Sequence, residues 1–355
     1  MLSKKQKEIV ESAHRNIVVM SSAASGKTRV LTERIKFLLE NGADPSKMVV
    51  LTFTNAAAEE MKQRIGDKGK NIFMGTLHSY ANYLLLSNGF VTTQYIAEEN
   101  FDMLFHQVEA HPECLKQVDF LLLDEAQDSN ELQFKFILDM IKPTSFFIVG
   151  DNRQSIYEWR GGRPDIFYDL TFRGDVKTYH LNENYRNGAN ILFFAKRFIE
   201  ELGYQYHDNS IPCAPYRGKL IEARYDISKI ISVIKEDGHY GDWFILTRSN
   251  EDLDEIYFEL KKHNIPCDTF KRSELSLDDL NKKMQDDTVK VLTIHASKGL
   301  ESKNVIVVQN KFPYNAEEKR VAYVAATRAK ELLIWMKKMK QPAKTKTKFK
   351  TTNWE

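Results

Sequence analysis

Short runs of β-branched, aliphatic and aromatic residues alternate along this chain with longer stretches of helical period, and that alternation restricts the fold to parallel α/β architecture. Parallel strands are buried on both faces by the helices that connect them, so they read as continuous apolar runs rather than as alternating ones. The first series of candidate strands is Asn16 to Met20, Met48 to Phe53, Asn71 to Met74, Asp119 to Leu123, Ser145 to Val149 and Lys177 to Leu181. A second runs through Lys219 to Ala223, Trp243 to Leu246, Lys290 to Ile294, Asn304 to Val308 and Glu331 to Trp335. Helical period is expected over Thr28 to Leu39, Asn55 to Ile65, Ser129 to Ile141, Gly188 to Glu201 and Glu251 to His263. The two series imply two sheets with a break near Thr178 to Arg186, and a chain of 355 residues suffices for two cores of ordinary size.

Composition narrows the partners. Lys plus Arg number 51 against 49 Asp plus Glu, so any basic nucleic-acid surface must be local rather than global. The longest apolar runs fall far short of the roughly 18 residues of a membrane helix, and no apolar stretch follows the N-terminal lysines, so no membrane partner or secretory leader is expected. Cys114, Cys213 and Cys267 are scattered without metal-ligand spacing, which fits a reducing, cytoplasmic location. From Lys337 to Lys350 seven lysines lie among Thr, Pro and Gln, and residues 337–355 are expected to form a disordered basic tail.

The segment Ser21-Ser22-Ala23-Ala24-Ser25-Gly26-Lys27-Thr28-Arg29 follows an apolar run and opens a helical one. A phosphate-binding loop works in that context: backbone N–H groups and the helix N-terminus hold the phosphates, Lys27 neutralises them and the Thr28 hydroxyl ligates Mg²⁺. Ser21 replaces the first glycine of the general pattern. The run Phe120 to Leu123 then delivers Asp124 and Glu125 to a strand end, the edge at which parallel sheets bind ligands. Asp124 is the expected metal ligand, and Glu125 the group that orients and deprotonates an attacking water.

Further segments match a family in order. Leu51-Thr52-Phe53-Thr54-Asn55-Ala56-Ala57-Ala58-Glu59-Glu60-Met61, Gly75-Thr76-Leu77-His78-Ser79, Asp124-Glu125-Ala126-Gln127-Asp128 and Val149-Gly150-Asp151-Asn152-Arg153-Gln154-Ser155-Ile156-Tyr157-Glu158-Trp159-Arg160-Gly161 resemble motifs Ia, Ib, II and III of superfamily 1 DNA helicases of the UvrD/Rep/PcrA type. Leu181 to Arg186, Thr293 to Glu301 and Tyr323 to Ala329 are similar to motifs IV, V and VI, and Gln6 stands where the family's Q motif reads adenine. The resemblance implies two RecA-like parallel-sheet domains with ATP and Mg²⁺ in the cleft between them. The first would span 1–179 and carry a minimal 1B insertion near 80–118; the second would span 180–336 with the 2B insertion essentially absent. It further implies that Ser22, Ala23, Ala24, Ser25, Gly26, Lys27, Thr28 and Arg29 cradle phosphates, that Gln154 senses the γ-phosphate and that Tyr185 stacks on adenine. Arg186 and Arg328 would act as arginine fingers from the second sheet, and Glu301 would contact the ribose or couple it to motif V.

Single-stranded DNA, alone or at a duplex junction, is the partner the resemblance implies, with Phe53, Thr54, Asn55, Thr76, His78, Tyr157, Trp159, Arg160 and His295 as its contacts. Rings beside polar loop residues can stack on bases without sequence preference. The expected activity is ATP-dependent translocation and unwinding with 3'-to-5' polarity; the alternative is a DNA-sensing ATPase subunit that regulates a partner nuclease or repair complex. Two departures stand out. Ser22 and Ala24 replace loop glycines, where left-handed backbone would cost a side chain about 1 to 2 kcal/mol, and Asn152-Arg153 replace the acidic residues that usually precede Gln154.

Overall fold

The computed structural model describes residues 1–270, 277–309 and 315–338. The first sheet contains β1 (Asn16–Ser21), β2 (Met48–Thr52), β3 (Phe73–Thr76), β4 (Phe120–Leu123), β5 (Ser145–Gly150) and β6 (Val176–Leu181), all parallel, in the order β3-β2-β4-β5-β1-β6. The second contains β9 (Lys219–Arg224), β10 (Trp243–Thr247), β11 (Cys267–Asp268), β12 (Val289–Thr293), β13 (Ser302–Gln309) and β14 (Ala329–Lys337), also parallel, in the order β11-β12-β10-β13-β14-β9. A short parallel pair, β7 (Glu183–Asn184) with β8 (Ile211–Pro212), lies between the sheets in sequence. Both domains are thus α/β with parallel sheets. β6 pairs with β1 through Leu181, where the first sheet ends, within the stretch expected to hold the break.

Strand alternation sends neighbouring residues to opposite faces and gives each sheet two cores. Val18, Leu51, Leu121 and Ile148 pack beneath α4 (Leu77–Ser87) and α6 (Met103–Ala110), while Ile17, Val50, Leu122 and Phe147 pack beneath α1 (Lys4–Val10), α2 (Lys27–Glu40) and α3 (Asn55–Ile65). In the second sheet Ile245, Val291 and Ile306 meet α10 (Ile227–Asp237) and α11 (Asn250–Lys262). Leu246, Leu292 and Val307 meet α9 (Ala189–Lys196) and α13 (Ala316–Ala326), and Ala23 and Ile156 from the first half join that cluster. One core therefore crosses between the halves at the loop between β1 and α2.

The remaining helices are α5 (Thr93–Ala97), α7 (Glu131–Lys135), α8 (Pro164–Asp169) and α12 (Leu277–Gln285). The helix expected over Ser129 to Ile141 is only partly α: after α7 the chain widens into a π-helical turn, Phe136–Ile141, which ends at Lys142 in left-handed geometry. The helix expected over Gly188 to Glu201 is regular only through Lys196. Lys337 closes β14 and Lys338 pairs with Asp252 at 2.9 Å and Glu255 at 2.7 Å, so the expected basic tail begins after these two residues. Its remainder, 339–355, lies outside the described residues. Among the described residues no helix is long and apolar enough to cross a membrane.

Candidate active site

The chain leaves β1 at Ser21 and turns through Ser22 to Gly26 before α2 begins at Lys27. Gly26 takes φ +83°, and a Cβ there would stand 2.8 Å from Gln6 Nε2. That amide closes the loop from the outside: Gln6 Nε2 donates to Ser25 O at 3.0 Å, while its Oε1 accepts from Ser3 N at 3.0 Å to complete the N-terminal cap of α1. Of the two residues that replace loop glycines, Ala24 carries the strain, at φ +56°; Ser22 is not in left-handed geometry, and its buried Oγ meets no partner among the described residues.

Lys27 Nζ lies 3.1 Å from Glu125 Oε2, and Thr28 Oγ1 donates to Asp124 Oδ2 at 3.2 Å. Thus β4 and the start of α2 bring the two carboxylates to the loop's ammonium and hydroxyl. Burial and the charge of Glu125 push Asp124 above the ordinary carboxylate range. Burial would raise Glu125 as well, but Lys27 and Lys298 outweigh it and hold that carboxyl low. Glu125 itself sits at φ +54°, a strained position for a side chain of its size and of the kind that gathers at functional sites. The buried Asp124 carboxylate, the half-buried Glu125 carboxylate and the Thr28 hydroxyl form an oxygen donor set whose chemistry would suit a hard divalent cation.

The second half supplies cations to the same place, Arg328 from just before β14 and Arg186 from just after β7. Arg328, buried between α13 and β14, donates from Nη2 to Gln154 Oε1 at 3.1 Å and from Nε to Val324 O at 3.0 Å. Burial and then the charge of Arg186 pull its guanidinium down to about 9. Arg186 pairs with Glu301, which also takes Lys330 at 2.8 Å. Burial opposes ionisation of Glu301, but these two cations hold its carboxyl down to about 2. Glu301 therefore steadies Arg186. Tyr185 N donates to Ala24 O at 3.1 Å, and the Tyr185 ring stands 44% exposed on the side of the loop where Ser3 bonds Glu183. Arg29 is exposed on the first turn of α2.

The rings expected to meet DNA form one group. Phe53 stacks on Tyr157 with centroids 5.0 Å apart, Tyr157 meets the His295 ring at 5.8 Å, and Trp159 meets that ring edge-on at 6.4 Å. Trp159 is 60% exposed, with the Arg160 guanidinium 4.7 Å over its face. His295 Nε2 lies 3.2 Å from Ile156 O, across the junction of the halves, and burial first, then Arg248, depress its pKa to about 4. Thr54 and Thr76 cap α3 and α4 by accepting from Ala57 N and Ser79 N, both at 3.2 Å, and Asn55 is exposed at the start of α3. His78 stands apart from the rings: it packs on Phe105 at 4.9 Å and approaches Asp102 at 3.4 Å.

Several side chains at the junction were not assigned roles from sequence. Lys298 pairs with buried Asp128 and donates to Gln154 O at 2.6 Å. Arg320 donates to Ser155 O at 2.7 Å and pairs with Glu158 at 2.7 Å. Arg153 is buried against Asp151 and Asp208. Lys298 and Asp128 lie inside recognisable motifs, but their partnership joins residues that only the folded chain brings together.

A strand-to-helix loop ending in Gly26-Lys27-Thr28, a carboxylate pair at a parallel strand end and arginines brought from the second half fit a two-domain α/β protein of the RecA-like kind. The profile of the UvrD/REP helicase N-terminal domain matches residues 2–109 and 93–174, and that of the UvrD-like helicase C-terminal domain matches 179–276 and 268–340. The chain belongs to the UvrD/Rep/PcrA-type family of superfamily 1 helicases. It is 26% identical over 371 residues to a probable DNA helicase II homolog of Mycoplasma capricolum, covering 75% of this chain and 51% of that protein. It is 26% identical to the ATP-dependent DNA helicase PcrA of Staphylococcus epidermidis, with 75% and 50% covered, and to DNA helicase II of Escherichia coli, with 70% and 48% covered. The chain spans about half the length of the curated relatives it matches.

Proposed function

We propose that this chain is an ATP-driven motor on single-stranded DNA that hydrolyses ATP with Mg²⁺ in the cleft between its two sheets, moves 3'-to-5' and unwinds duplex at a junction. The observation that carries this reading is the bond from Arg328 in the second half to Gln154 in the first, beside Lys27 and Glu125. A site divided in this way makes hydrolysis sensitive to the separation of the halves, which is what a motor requires. Thr28 and Asp124 would hold the cation, whose chemistry is to neutralise phosphate charge. Glu125 would orient and deprotonate the attacking water once phosphate draws Lys27 away, and Arg186 and Arg328 would meet the charge that develops on the transferred group. Gln6 and Tyr185 would hold the base and Glu301 would keep Arg186 in place.

The ring group from Phe53 to His295 spans both halves, so bases stacked there would feel the same motion. The reduced segments near 80–118 and 268–287 leave little of the 1B and 2B insertions, which makes translocation the robust activity and processive unwinding the one that leans on a protein partner. Strand displacement measured beside ATP hydrolysis tests this. Single-strand-stimulated hydrolysis with displacement of a strand ahead of the motor supports the full reading, and hydrolysis indifferent to DNA overturns it.

A further inference from the structure

Arg153 stands where the resemblance leads one to expect an acidic residue, and its guanidinium is buried rather than solvated. Its Nε bonds Asp151 Oδ1 at 2.6 Å, its Nη1 reaches Asp208 Oδ1 at 2.9 Å and His207 O at 3.3 Å, and its Nη2 donates to Ser21 O at the end of β1. Asp208 belongs to the second half and is held there by Ser210 N at 2.8 Å and by the Tyr323 hydroxyl, from α13, at 3.1 Å.

The carboxylate of Asp151 is shared. One oxygen takes Arg153, and the other takes Gln154 Nε2 at 2.8 Å. An amide has one donor end and one acceptor end. Gln154 can therefore turn its oxygen toward Arg328, at 3.1 Å, because Asp151 already holds its NH₂.

We infer that Arg153 is a positioning residue for hydrolysis: through Asp151 it fixes the orientation of Gln154 toward Arg328, and through Asp208 and Tyr323 it makes that orientation depend on where the second half sits. This rests on the function proposed above. A lysine at 153 keeps the buried charge but lacks the planar fork that serves Ser21 O, Asp151 and Asp208 together. The charge balance survives and the geometry does not.

The test is steady-state ATP hydrolysis by the full chain with a single-stranded oligonucleotide and Mg²⁺, for wild type, Arg153→Lys, Gln154→Ala and the double variant, with Asp208→Ala, which removes the acceptor for Arg153, as a second way to release the fork should Arg153→Lys fail to fold. Arg153→Lys and Asp208→Ala are each expected to lower kcat by about ten- to a hundredfold, the scale of a small misplacement of a reacting group. KM for ATP should move by less than about threefold, because ground-state binding is untouched. In the Gln154→Ala background either change should cost less than about twofold, because both act through the same amide. Unchanged kcat, or losses that multiply fully with that of Gln154→Ala, would overturn the inference while leaving the motor intact. A wild-type chain that hydrolyses no ATP would overturn the motor reading and this inference with it.

Discussion

Glu125→Gln is expected to separate the chemical step from nucleotide binding. In the structure Glu125 takes Lys27 Nζ at 3.1 Å and sits beside the buried Asp124, whose carboxyl it helps to push upward. The amide keeps the shape and removes one negative charge. Turnover should fall by about 10² to 10⁴, the usual contribution of a positioned general base. Nucleotide affinity should hold or rise, since Lys27 no longer divides its charge between a carboxylate and phosphate. The Asp124 carboxyl should titrate lower, because its nearest repulsive neighbour is gone. Single-strand-stimulated hydrolysis gives the first quantity, equilibrium binding of a fluorescent nucleotide the second, and carboxyl carbon NMR the third. Turnover within about tenfold of wild type would place the base elsewhere and refute the assignment.

Other outcomes follow from the same geometry. His295 has a folded-state pKa of about 4 against an ordinary value of 6.5, so the unfolded chain binds the extra proton first, and stability should fall by up to about 3 kcal/mol as pH drops from 6.5 to 4. Urea unfolding across that range should show this slope and His295→Gln should flatten it; identical slopes would remove the histidine from the acid response. Ala24→Gly relieves left-handed backbone at φ +56° and should raise stability by about 0.5 to 1 kcal/mol in thermal unfolding, once the greater freedom of the unfolded glycine is subtracted. A loss of stability would show that the methyl group packs to advantage. Trp159→Ala should weaken single-strand binding by about 1 to 3 kcal/mol without altering its salt dependence, whereas removal of residues 339–355 should make the slope of log affinity against log salt shallower by about 0.7 for each phosphate that the tail neutralises. Titrations at several salt concentrations decide both: unchanged affinity takes Trp159 out of DNA binding, and an unchanged slope does the same for the tail.

Much of the fold was legible because parallel strands declare themselves. Met48–Thr52 and Trp243–Thr247 are buried at every position, and runs of that kind offer no other good solution than the interior of a sheet. Short elements escaped. Cys267–Asp268 and Glu183–Asn184 are strands of two residues that exist because a neighbour pairs with them, and α13 is buried over most of its circumference, so it shows no polar face. At the site, local order carried the phosphate loop and the Asp124-Glu125 pair. Partnerships distant in sequence did not show: Asp208 has no local sign that it answers Arg153, and Lys298 none that it enters the first half to meet Asp128. The strain expected at two loop positions settled on Ala24 alone, because of the two only that residue occupies left-handed backbone before Gly26.

If hydrolysis is carried out by both halves together, Arg328→Lys should abolish most of it. Lysine retains the positive charge but gives up the fork that spans Gln154, Val324 O and Leu300 O. With single-stranded DNA and Mg²⁺ present, the wild-type chain is expected to hydrolyse ATP, and Arg328→Lys to lose about 10³ or more in kcat while still binding nucleotide. Hydrolysis by Arg328→Lys within about tenfold of wild type would contradict a catalytic site divided between the two sheets.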